Sequence, residues 1–167
     1  WAEIDAIVRN EASRNPNGKL FLGVDSVAAL ITEEEVEHPE ISLPTQMALP
    51  KFLSRLLKRW VAIAHSTNTM VFLINQLRSS PSSWQPDRST GGRALRFYCH
   101  VMVSVRRVKN SRIMKSGKIV GIKGIVTNRK NKIGQGSTEG SQCGFKLYFD
   151  RPIVYCDPAE VRGEKDE

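Results

Sequence analysis

Leu20-Phe-Leu-Gly-Val-Asp25-Ser26-Val-Ala-Ala-Leu30 is the stretch on which the fold turns. An apolar run ends in one carboxylate and passes at once into small residues. A buried parallel strand delivers an acid to the carboxyl edge of a sheet in this way, and open α/β folds bind their ligands at that edge. Asp25 at such an edge can hold a water ligand of Mg²⁺ beside a nucleotide. Capping of the turn that follows stands beside it as an equal alternative on this stretch alone.

The flanking sequence supplies a frame for that strand. Residues 2–13 carry Ile4, Ile7 and Val8 on one side and charges on the other, which predicts a helix. Asn15-Pro-Asn-Gly18 is a turn, and Leu20 to Val24 the buried strand. An acidic loop with Glu33, Glu34, Glu35, Glu37 and Glu40 runs to about Gln46. Leu49, Phe52, Leu53, Leu56, Leu57, Trp60, Val61 and Ala64 then recur at three- and four-residue spacing, with Pro50 in the first turn and Lys51, Arg55, Lys58 and Arg59 opposite. Thr69 to Ile74 reads as a second buried strand closing on Asn75-Gln76. Strand, helix, strand predicts a right-handed crossover between parallel strands.

The second half differs in character. Leu77 to Thr90 is rich in Ser, Pro and Arg, carries Trp84 and has no periodicity, so it reads as a loop. Gly91-Gly92 opens a short helix over 93–98, whose amides can face a phosphate. His100 to Val108, Val120 to Lys132 and Gly144 to Phe149 read as strands, with a basic turn over 109–117 and a glycine-rich loop over 134–140. The expected fold class is α/β: a parallel βαβ unit followed by a β-rich, partly antiparallel extension. Residues 1–150 form the main body and 151–167 a tail of uncertain structure.

Composition narrows the class of partner. The 167 residues suffice for one domain with a real core. No apolar run is long enough to span a membrane. Cys99, Cys143 and Cys156 are scattered, which reads as reduced thiols in a cytosolic protein. His38, His65 and His100 form no ligand cluster. The net charge is +8, and from Ser89 to Thr138 there is no Asp or Glu, while twelve Lys and Arg fall in that stretch. An acid-free basic block implies a polyanion nearby. The acidic loop and the acidic tail over 164–167 read as solvated faces.

Four segments together resemble the bacterial or phage RecA recombinase family, in that family's order: Val24-Asp25-Ser26-Val-Ala-Ala-Leu30, Ile74-Asn75-Gln76-Leu77-Arg78, Thr90-Gly91-Gly92-Arg93-Ala-Leu-Arg-Phe97-Tyr98 and Lys130-Asn131-Lys132-Ile133. The resemblance covers about Leu20 to Asp150 and implies the C-terminal half of a RecA-type P-loop ATPase core. It implies that Asp25 and Ser26 sit at ATP and its Mg²⁺, and that Asp25 acts on the metal through water. Gln76 becomes the sensor that couples bound ATP to the DNA-binding loop. Lys130 and Lys132, two apart on a strand, reach a neighbouring subunit's ATP and stabilise phosphoryl charge there as an arginine finger does. Asp25, Gln76, Lys130 and Lys132 are thus the catalytic candidates. Leu77 to Thr90 takes the place of the family's second DNA-binding loop, with Arg78 and Arg88 on phosphates; Trp84, read from its chemistry and not from a motif, is expected to stack on bases or wedge between them. Gly91, Gly92, Arg93 and the pair Arg106-Arg107 join that DNA set; strand alternation turns one of the two paired arginines toward DNA. Glu37 to Met47 occupies the place of the first DNA-binding loop, with Pro39 and Pro44 where a flexible composition is expected.

No Gly-x-x-x-x-Gly-Lys-Ser/Thr occurs in this sequence, and 24 residues precede Asp25. The P-loop half is therefore expected in cis or from a partner chain, and without the central strands that should lie beside them the strands here are expected to expose apolar edges. The resemblance implies ATP-dependent, homo-oligomeric filaments on single-stranded DNA that pair with a homologous duplex and exchange strands. Partners are then single- and double-stranded DNA and no membrane. The compartment is the cytoplasm, with nucleoid association, or the host's cytoplasm if phage-encoded. The alternative is a catalytically inactive basic DNA-binding module derived from a RecA-like protein. A hexameric helicase of the same superfamily fits the Asn75-Gln76 to Gly91-Gly92 arrangement less well.

Overall fold

In a computed structural model of the chain, the described residues are 2–32, 36–37, 43–78, 88–89, 92–134 and 138–163. They fall into two compact units, Trp1–Tyr98 and Cys99–Glu167.

The first unit is the βαβ crossover. Helix α1 (Ala2–Arg14) has Glu3 and Asp5 in its first turn and Arg14 in its last, which complements the helix dipole. Gly18 N donates to Asn15 O (2.9 Å), closing the turn into β1 (Leu20–Asp25). Helix α2 (Leu43–Ser66) leads to β2 (Thr69–Ile74), and β1 and β2 pair in parallel from Leu20↔Thr69 to Asp25↔Ile74. The core runs along α2: Leu49, Leu53, Leu56, Leu57, Trp60 and Ile63 are buried, against β2 and against the short α3 (Ala94–Tyr98) with Ala94 and Leu95.

Three expectations for this unit change. α2 begins at Leu43, so Pro50 lies inside the helix and not in its first turn. Val61 is exposed and Ile63 takes its place in the buried stripe, because the stripe is narrower than the run of apolar residues. The strands are half-covered, not buried. Residues of both alternate between half-buried and exposed, and one face presents Phe21 (65% exposed), Met70 (62%), Phe72 and Ile74 to solvent. Phe21 and Phe72 stack on that face with centroids 6.0 Å apart.

Also within the first unit, β3 (Leu77–Arg78) and β4 (Arg88–Ser89) pair antiparallel. The ends of the stretch read as an aperiodic loop are thus a two-pair ladder.

The second unit is an antiparallel sheet in the order β5 (Val101–Lys115), β6 (Lys118–Asn131), β7 (Gln142–Tyr148), β8 (Val154–Cys156). The basic turn expected over 109–117 is instead strand up to Lys115; only Ser116 and Gly117 turn, both at positive φ. The polarity of Lys109 to Lys115 misleads because this arm is solvated on both faces. Register slips between Arg107 and Arg112 absorb extra residues around Asn110 (φ 58°). Helix α4 (Pro158–Arg162) packs on β7 through the fully buried Val161. Asp157 caps α4 by accepting from Ala159 N (2.8 Å), and Glu160 reaches back to Asp157 N.

Candidate nucleotide and DNA site

The parallel pairing of β1 and β2 fixes the first half of the candidate site. Asp25 is the last residue of β1 and stands in register with Ile74, the last residue of β2. Gln76 follows two residues on, so both side chains leave the carboxyl edge of the same two-stranded sheet. Both are exposed. Asn75 Oδ1 accepts from Gln76 N (2.9 Å) just past the end of the strand. Ser26 follows Asp25 and holds the capping position of the 3₁₀ turn Val27–Ala29; its hydroxyl makes no capping bond there. The turn is closed through the Ser26 carbonyl, which accepts from Ala29 N (3.0 Å). Capping, the alternative weighed for Asp25, therefore falls by position to Ser26.

This donor set suits one kind of metal. A single edge carboxylate, with no cluster of three or more His, Cys, Asp or Glu among the described residues, cannot cage a cation alone. It fits a Mg²⁺ already carried by phosphates, held through water. Among the described residues no helix is long and apolar enough to cross a membrane.

Gln76 runs directly into β3, so the sheet edge and the β3–β4 ladder are one continuous piece of backbone. Arg78 and Arg88 face each other as Cα partners in that ladder, though their side chains lie outside what is described. Trp84 and Gly91 lie outside the described residues, as does most of Glu37 to Met47. Gly92 has φ 74°, a conformation that strains any other residue, and a Cβ there would sit tight against Pro50 of α2 at 3.3 Å. Arg93 is exposed in the turn before α3.

The second unit holds the remaining candidates. Arg106 and Arg107 are both exposed on β5, opposite Ile125 and Gly124. Lys130 is half-buried near the end of β6, opposite Met102. Lys132 is exposed beyond the end of β6, although its N–H still donates to His100 O (2.9 Å). Asn131 Oδ1 accepts from Ile133 N (2.9 Å) and Gly134 N (3.0 Å), which turns the chain immediately after the lysines. Asn128 and Asn131 both donate to Thr138 Oγ1 (2.8 and 3.1 Å) and fasten the far side of the loop. These asparagines were missed as positioning groups; Asn131-Lys-Ile-Gly134 is the signal for such a turn. Cys99, beside Lys130 in this unit, has its thiol pushed up, first by burial.

The family model for the RecA N-terminal domain matches residues 12–151. The chain belongs to the RecA family. It is 35% identical to Protein RecA of Sulfurovum sp. over 79% of this chain and 37% of that protein. It is 30% identical to Protein RecA of Clostridium beijerinckii over 87% of the chain and 39% of that protein. It is 32% identical to that of Mycoplasma pneumoniae over 90% and 44%. The chain thus spans well under half the length of these curated RecA relatives.

Proposed function

We propose that this chain is the nucleotide-sensing and DNA-gripping part of a RecA-type recombinase. In this reading the complete assembly binds ATP and Mg²⁺, polymerises on single-stranded DNA in the cytoplasm, pairs it with a homologous duplex and exchanges strands. The observation that carries it is the common edge of Asp25 and Gln76 on paired parallel strands, with Gln76 leading without interruption into the β3–β4 ladder. Asp25 and Ser26 would hold the Mg²⁺ of a bound nucleotide, which supplies charge neutralisation when present. The Gln76 amide hydrogen-bonds a terminal phosphate or an attacking water, and its displacement moves the root of the loop that bears Arg78, Trp84 and Arg88. Those residues, with Gly91, Gly92, Arg93 and one of Arg106 and Arg107, grip the DNA backbone. Lys130 and Lys132 act across a subunit interface on phosphoryl charge.

The phosphate cradle is not encoded here, so the test supplies a P-loop half in cis or on a second chain. Gln76→Ala is expected to leave ATP binding intact and to uncouple it from DNA binding; full ATP-dependent strand exchange by that variant removes the sensor role. Lys130→Ala with Lys132→Ala is expected to abolish DNA-stimulated ATP turnover without unfolding the second unit, as followed by circular dichroism. The acid-free basic block keeps a second reading in play, a catalytically inactive DNA-binding module. DNA binding that is indifferent to ATP when the P-loop half is present would favour it.

A further inference from the structure

Close to its end, β6 carries one residue more than its partner needs. Met102 stands opposite Lys130 and Val103 opposite Asn128, so Arg129 is extra and forms a β-bulge. Along a regular strand side chains alternate, and residues three apart lie on opposite faces. The bulge cancels that. Asn128 and Asn131 stand opposite Val103 and Val101, which share one face of β5, so the two asparagines share a face as well. Both amides then reach one oxygen: Asn128 Nδ2 (2.8 Å) and Asn131 Nδ2 (3.1 Å) donate to Thr138 Oγ1. Lys130, opposite Met102, lies on the other face, and Lys132 follows it by alternation. Arg129 Nε donates to Ser104 Oγ (2.9 Å), which holds the extra residue against β5. The far side is fastened too. Gly140 N donates to Asn128 O (2.8 Å), Asn128 N to Ser141 O (2.9 Å), and Ser141 closes on Thr138 O through its N–H (3.1 Å) and its hydroxyl (2.7 Å). This arrangement carries a penalty: Asn128 Oδ1 is buried without a hydrogen-bond partner among the described residues. An apolar side chain opposite Val103 would avoid that penalty, so the amide is there for its bond to Thr138.

We propose that Asn128, Asn131 and Thr138 form a latch, set up by the Arg129 bulge, that positions Lys130 and Lys132. The latch fixes the backbone of 130–132 from the face opposite the lysines, so it aims their side chains without covering them. Asn128, Asn131 and Thr138 are positioning residues and act only through the two lysines. The proposal rests on the cross-interface role given to those lysines above and deepens it. Long, flexible side chains stabilise a developing charge only when their roots are held in place.

Thr138→Val removes the shared acceptor at nearly constant volume, and Thr138→Ser keeps it. In the 167-residue chain, amide hydrogen exchange at Lys132, Ile133 and Gly134 should quicken about tenfold in the valine variant. It should stay unchanged in the serine variant, while amides in the middle of β6 and β7 keep their protection in both. With the P-loop half supplied, kcat for DNA-stimulated ATP turnover should fall about tenfold in Thr138→Val with the KM for ATP unchanged, because a misplaced cation weakens the transition state and not the ground state. Thr138→Ser should restore it. Added to Lys132→Ala, Thr138→Val should lower turnover by a smaller factor than it does alone. Exchange at 132–134 that ignores Thr138→Val overturns the latch. Faster exchange with turnover intact, where Lys130→Ala with Lys132→Ala loses turnover, overturns the positioning role and leaves the cross-interface reading standing. Full additivity with Lys132→Ala also overturns it, since the latch would then act through another group. Full turnover in the paired lysine variant removes the cross-interface reading, and the positioning role with it, whatever the exchange shows.

Discussion

Asp5 is a buried carboxylate, 4% exposed, that accepts a hydrogen bond from Trp60 Nε1 (3.2 Å) and pairs with Arg59. It ties α1 to α2 through partners more than fifty positions away, which no local pattern reveals. Asp5→Ala is expected to cost about 1–3 kcal/mol, because a buried donor loses its acceptor; Asp5→Asn, which keeps the acceptor, should cost less. Urea denaturation of the two variants checks the order. Gly124 is a second such position. A Cβ there would collide with the Arg106 carbonyl oxygen on β5 and fall 2.6 Å from the ring of Phe145, its partner on β7. Gly124→Val should therefore destabilise the second unit by about 1–3 kcal/mol through overpacking, read as a lowered melting temperature. By contrast, the placement of Asp25 and Gln76 was legible from sequence. Each sits at the end of an apolar run of strand length, and that information is local.

Helix α4 carries its signal in its cap and not in its pattern. Asp157-Pro-Ala-Glu160 is a capping box with proline at its first helical position, while five residues are too few to show periodicity. Beside the buried Val161, Lys146 Nζ donates to Glu160 Oε2 (2.8 Å) and adds a polar tie between β7 and α4. That bond holds the Glu160 carboxyl below its ordinary range and raises Lys146 above its own. For Glu160, the stabilisation is present above the ordinary carboxylate range and is lost as pH falls through the depressed value. For Lys146, it is present below the ordinary lysine range and is lost as pH rises through the raised value. Hydrogen exchange at the Val161 amide should therefore quicken at both extremes, and Glu160→Gln should flatten the acid limb. The far arm of the β5–β6 hairpin hides its structure for the opposite reason: its polar residues mimic a turn, while strand pairing between solvated arms leaves no hydrophobic alternation to read.

At the scale of the molecule, the exposed face of β1 and β2 sets the chain's behaviour. Parallel sheets are normally covered on both faces, and here Phe21, Met70, Phe72 and Ile74 are open on one. The parallel pairing itself was legible from the strand–helix–strand spacing. The bareness of one face was foreseeable only from the missing phosphate-binding motif, since an apolar run says that a residue prefers cover and not that cover is present. The 167-residue chain is expected to bind a hydrophobic dye such as ANS while retaining its circular dichroism, and Phe21→Ser with Phe72→Ser should reduce that fluorescence without lowering helix content. Dye binding that is absent in the unsubstituted chain would mean this face is closed in solution.

The Trp60–Asp5 contact also gives the chain a built-in optical gauge. With Trp1 and Trp84 replaced by phenylalanine, one indole remains, 4% exposed and hydrogen-bonded to a carboxylate on another helix. Its emission should sit toward the blue while α1 is seated and shift red when that helix lifts, so detachment of the first thirteen-residue helix becomes visible in real time, separately from events in the second unit.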